Sequence, residues 1–157
     1  MQRYTWFFTL TEALNPATEQ ALTADFGRFA AQWQSHGTPV DGLIRIKHSR
    51  FVIAQANPGD DRPSGCSIDS LKRGISQILQ HHQLPTLDNA YVCYQGADAS
   101  VAVVHFQQIP TLVADGTLGA DTLVFDHTLS QSDDLNKWEV SLKDTWLARF
   151  LPKQAAG

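Results

Sequence analysis

Two apolar stripes of helical period, with two strand-like runs between them, set the tightest limit on what this chain can become. Leu22, Phe26, Phe29, Ala30 and Trp33 recur at steps of four, three, one and three, so they line one face of a helix. Ile68, Leu71, Ile75, Ile78 and Leu79 do the same further on. A helix with one apolar stripe must bury it against something, and the strand-like runs supply the surface. Residues 4–10 are aromatic and β-branched, residues 43–48 alternate, and residues 50–56 contain the continuous run Phe51-Val52-Ile53-Ala54 of a buried central strand. With Tyr91-Val92-Cys93-Tyr94 as the next strand, the order is β-α-β-β-α-β, the ferredoxin-like arrangement.

The fold class predicted is therefore α+β, an antiparallel sheet with two amphipathic helices on one face. The surplus beyond residue 100 makes it an elaborated ferredoxin-like core, with a different α+β sheet as the competitor. That surplus reads as a strand at 101–106, a short helix near 107–114, a strand at 122–126 and a helical, tryptophan-bearing tail. Local punctuation agrees with the helices. Asn15-Pro16 is a helix start, because asparagine caps backbone N–H groups and proline suits the first turn. His36-Gly37 reads as the end of the first helix. Turn formers crowd the segment from Asn57 to Gly65. No repeat or linker interrupts the 157 residues, so residues 1–157 are expected to form a single domain.

Composition narrows the class of function. A net charge of −4 argues against a dedicated nucleic-acid binder, which ordinarily carries a basic excess. Arg45, Lys47, His48 and Arg50 gather on the presumed hairpin, yet charges that guard a sheet edge give the same pattern. Two cysteines cannot build a disulfide framework, and Cys93, inside a strand, reads as a small buried hydrophobe. The apolar run after Met1 is short and broken by threonines, and no segment reaches the ~18 apolar residues of a membrane span. These readings lead us to expect a cytoplasmic protein with no membrane association. Phosphate-loop, dinucleotide, Cys-x-x-Cys and His-Glu-x-x-His patterns are absent, so neither a cofactor nor a metal site is expected. The six histidines lack metal-ligand spacing, and the rings of His81 and His82 should point about 100° apart on a helix.

Two segments stand out. Gly65-Cys66-Ser67-Ile68-Asp69 lies where a loop becomes the second helix. Unpaired N–H groups and the positive helix end would lower the Cys66 thiol pKa, or bind a phosphate or carboxylate with Gly65 and Ser67. Asp69 would oppose both by bringing a negative charge into the same field. A plain helix cap, with Asp69 complementing the dipole, explains the same residues and is the leading account. The second segment is the tail from Trp138 to Phe150, where Trp146 and Phe150 stand four apart. Packing onto the domain is the ordinary account. A groove walled by Trp138 and Trp146, or a docking surface for another chain, is the functional one.

On four stretches the chain resembles an uncharacterised bacterial family of similar length with no established activity. These are Trp33 to Gly37 after the aromatic strand, Ser64 to Ser70, Asp121 to Phe125, and the Trp138 to Trp146 tail. Some relatives carry a transporter-ATPase label, which the missing phosphate loop does not support. The resemblance implies a grouping and a set of residues to watch, and no mechanism.

Three functions follow as expectations. The first is a small-molecule or anion-binding domain with its site at Gly65 to Asp69, Cys66 the reactive thiol if it is an enzyme, and a small anionic ligand. The second is a non-enzymatic interaction module, homo-oligomeric, that uses sheet edges or the aromatic tail. The third, nucleic-acid binding through Arg45, Lys47 and Arg50, is disfavoured by the net charge.

Overall fold

The computed structural model describes residues 4–35, 38–39, 41–57, 65–127 and 138–152. At 65–68, as at 4, 34–35, 38–39, 41 and 57, the description covers the backbone and not the side chain. The expected helix end at His36-Gly37 and most of the turn-rich segment before Gly65 lie outside the described residues. The chain gathers into two compact units, whose described residues run up to Leu87 in the first and from Asp88 in the second. No helix among the described residues is long and apolar enough to cross a membrane.

The first unit runs β1 (Tyr4–Leu10), α1 (Pro16–Gln32), a two-residue ladder of β2 (Gln34–Ser35) with β3 (Thr38–Pro39), β4 (Asp41–Lys47), β5 (Phe51–Asn57), α2 (Gly65–His81) and β6 (Thr86–Leu87). Its sheet has the order β4-β5-β1-β6 with every neighbour antiparallel, which is the ferredoxin-like arrangement. The Asn15 side chain accepts a hydrogen bond from the Thr18 N–H at 2.8 Å, a cap worth about 1 kcal/mol to α1. Register explains the core. Phe8 stands opposite Val52, Trp6 and Ile44 flank Ala54, and Ile46 also faces Val52, so all six share one face. Onto that face Leu22 and Phe26 of α1 and Leu71, Ile75 and Leu79 of α2 pack in one buried cluster. Each such side chain contributes at most about 1.5–3 kcal/mol of burial.

Two boundaries differ from expectation. Helix α1 stops at Gln32, and Trp33 takes an extended backbone. The reason is tertiary: the buried Trp33 ring lies so close over Gly42 that a β-carbon there would sit 3.0 Å from it. The β4–β5 turn places His48 and Ser49 at φ of 55° and 54°, a left-handed conformation costly for non-glycine residues. The Arg50 guanidinium donates to the carbonyls of Leu10 and Thr11, and the Leu14 N–H donates to the Ser49 carbonyl, so the β1–α1 loop holds that turn.

The second unit contains β7 (Tyr91–Gln95), β8 (Val101–His105), a 3₁₀ turn at Phe106–Gln108 that leads into α3 (Ile109–Ala114), β9 (Leu123–Phe125) and β10 (Glu139–Ser141). The order is β10-β9-β7-β8, again antiparallel. Tyr94, Ile109, Leu118, Val124, Leu142 and Leu147 form its buried cluster. The strand at 91–95 exists as expected, but it belongs to this second sheet; the fourth strand of the first sheet is the two-residue β6. The tail is not one helix. It begins as β10 and continues in 3₁₀ turns at Leu142–Asp144 and Trp146–Phe150.

Candidate functional site

Helix α2 begins at Gly65, so Gly65, Cys66 and Ser67 fall on its first turn as the sequence suggests. That turn holds no acidic residue, and Asp69, an exposed residue, comes one position after it. The orientations of the Cys66 and Ser67 side chains lie outside the described residues. Cys93 is buried in β7, in keeping with its reading as a small hydrophobe.

Sequence reasoning missed a polar cluster between the two helices. The His82 Nε2–H donates to Asp25 Oδ2 at 2.7 Å, and Arg28 pairs with the other oxygen. The bond from His82 and then the Arg28 charge hold the Asp25 carboxyl below its ordinary pKa. The His81 ring stands edge-on to His82, with an interplanar angle of 87°. An imidazole oriented by a carboxylate is the base half of a nucleophilic triad. Among the described residues, however, no hydroxyl or thiol hydrogen-bonds to His82, so the pair acts as a tie between α1 and the end of α2. Asp25 and His82 lie 57 positions apart, and no spacing rule links them.

A shallow cleft of about 190 Å³ lies beside the β1–α1 loop, lined by Thr11, Glu12, Asn15, Thr18, Gln83 and Pro85 among others. Glu12 is the charged residue on its wall. The expected basic patch is divided by the fold. Arg50 turns inward to the β1–α1 loop, and Arg45 bonds the Gln55 side chain at 3.2 Å.

The tryptophans of the tail separate sharply. Trp138 is wholly buried, its ring 5.1 Å from that of Phe125 and stacked on His127 at 6.2 Å. A ring with no exposed surface cannot wall a groove, so Trp138 is core. Burial also pushes the His127 imidazole down to about 4, which keeps it neutral at pH 7. Trp146, by contrast, is 42% exposed.

The surface around Trp146 is built from below. Thr145 accepts from the Leu147 N–H at 3.1 Å and donates its hydroxyl to the Leu142 carbonyl at 2.8 Å, which caps the last 3₁₀ turn. Leu142 and Leu147 then anchor it in the core. On the outer side the Arg149 guanidinium lies 5.1 Å from the Trp146 ring and 5.7 Å from Phe150, and the two rings stand 6.0 Å apart. Among the described residues no carboxylate pairs with Arg149. A second aromatic group, Tyr91, His105 and Phe106, clusters at the end of β8, with ring separations of 5.4 and 4.9 Å. Tyr91 and Phe106 are both exposed.

Compared with protein-family models, curated proteins and solved structures, the chain matches none.

Proposed function

We propose that this chain is a protein-interaction module whose binding surface is Trp146, Arg149 and Phe150. The observation that carries the reading is an indole 42% exposed, with a guanidinium over one side, the Phe150 ring 6.0 Å away and a capped, core-anchored turn beneath it. A preorganised aromatic loses little freedom on binding, and tryptophan and arginine dominate the energetics of interfaces. The guanidinium retains N–H groups for a carboxylate, so the partner it fits is a peptide segment with a carboxylate next to an apolar side chain. Selection of random displayed peptides on the intact chain tests this. The expected consensus is acidic next to apolar, and both Trp146→Ala and Arg149→Ala should weaken the selected peptide about tenfold or more. A consensus indifferent to both substitutions contradicts the proposal.

A second reading rests on α2. With no carboxylate on the first turn, the helix start that bears Cys66 and Ser67 keeps its positive end, which suits a small anion or a thiolate. Titration of Cys66 with an alkylating reagent decides it. A thiol pKa below the ordinary cysteine value of about 8.5 supports a reactive or anion-binding site, and a value at or above it removes that reading.

A further inference from the structure

We infer that a second copy of this chain pairs with the first along β8, antiparallel and centred on Ala102, independently of the Trp146 surface. Among the described residues each four-stranded sheet ends in two edge strands, and an edge invites another strand unless something blocks it. Three of the four are blocked. β4 carries Arg45 and Lys47, β6 has two residues, and β10 has three, one of them Glu139. β8 alone of these is a five-residue strand, Val101 to His105, with no acidic or permanently basic residue and no proline, and each of its residues keeps part of its surface exposed. Valine-rich strands of this kind favour sheet addition.

The hydrogen bonds fix which groups are offered. The Phe106 N–H donates to the Ala90 carbonyl and the His105 N–H to the Gln108 side chain. Because bonding alternates along an antiparallel pair, Ala102 and Val104 face β7 with their backbone groups, while Val101 and Val103 turn theirs outward. Among the described residues β7 is the sheet partner of β8. A two-fold axis at Ala102 sets Val101 opposite Val103 of the second copy and Val103 opposite Val101. Each of these residues then exchanges both its N–H and its carbonyl with its counterpart, without disturbing the His105–Gln108 bond. The two alanines meet at the close, non-hydrogen-bonded position of the ladder, where a small side chain fits best. No like charges are brought together, as they would be if β4 paired with itself.

Light scattering on the full-length chain after size exclusion, from micromolar to millimolar concentration, tests the inference. The expected mass is twice the 17.4 kDa of one chain at the upper end. Val103→Pro removes an outward N–H that has no partner among the described residues, so it should fold with an unchanged circular dichroism spectrum and stay monomeric. Val101→Lys should weaken dimerisation about tenfold or more by placing charge beside the axis, and it decides the matter if the proline variant does not fold. Trp146→Ala should leave the dimer intact. A wild-type chain that is monomeric throughout overturns the inference. So does a folded Val103→Pro or Val101→Lys protein that dimerises like wild type, or a dimer lost on Trp146→Ala.

Discussion

β4 closes the first sheet with a seven-residue strand that carries Arg45 and Lys47, while β8 closes one side of the second with five residues of which four are apolar and the last is His105. In the first unit Arg28 pairs with Asp25, Arg45 bonds Gln55, and Arg50 bonds the β1–α1 loop. The second leaves Arg149 over an exposed indole and sets Tyr91 and Phe106 at the surface. Charge on an edge opposes strand addition, whereas a bare edge and exposed aromatics allow association. On the function we propose, scaffold work falls to the first unit and recognition to the second.

The largest test of this contrast compares the two tryptophans of the tail. Trp138→Ala empties a fully buried site and should cost about 3–5 kcal/mol in denaturant unfolding. Trp146→Ala should shift the same midpoint by no more than about 0.5 kcal/mol, since a partly exposed surface side chain contributes little to the fold. Equal losses would erase the distinction between core and surface.

His127 gives the next effect. Its native pKa of about 4 lies below the unfolded value of 6.5, so between those pH values the unfolded chain binds more protons and stability rises with pH. Acidification from pH 6.5 to 4 should therefore remove about 3 kcal/mol through this one group. Urea midpoints at pH 7 and pH 4.5 measure it, and His127→Gln should flatten the dependence.

In the first unit, Gly74→Ala would bring a β-carbon within 2.2 Å of the Phe29 ring between α1 and α2. The expected cost is about 1–3 kcal/mol of thermal stability, with self-association unchanged. A change in association instead would mean that the first unit takes part in recognition.

Much of the first unit was legible because its signals are long. Strand β1 follows from a run of aromatic and β-branched residues, the start of α1 from Asn15-Pro16, the β4–β5 hairpin from an alternating and a continuous apolar run, and the stripe of α2 from helical periodicity. The misses are short or tertiary. β6 and β10, at two and three residues, have no period to read. The early end of α1 depends on Trp33 packing over Gly42, and the sheet to which 91–95 belongs depends on β9. The candidate sites divide in the same way. That Trp146 and Phe150 come together was readable from their spacing, but the burial of Trp138 was not, and neither was the Asp25–His82 bond, which joins residues 57 positions apart.

Amide hydrogen exchange at two protein concentrations tests the contrast between the edges most directly. At low concentration the outward N–H groups of Val101 and Val103 should exchange rapidly, as edge amides do. At high concentration those two should become protected, while the amides of Asp41 to Lys47 in β4 stay as they were. Val101 and Val103 exchanging alike at both concentrations, or protection rising along β4 instead, would contradict the account.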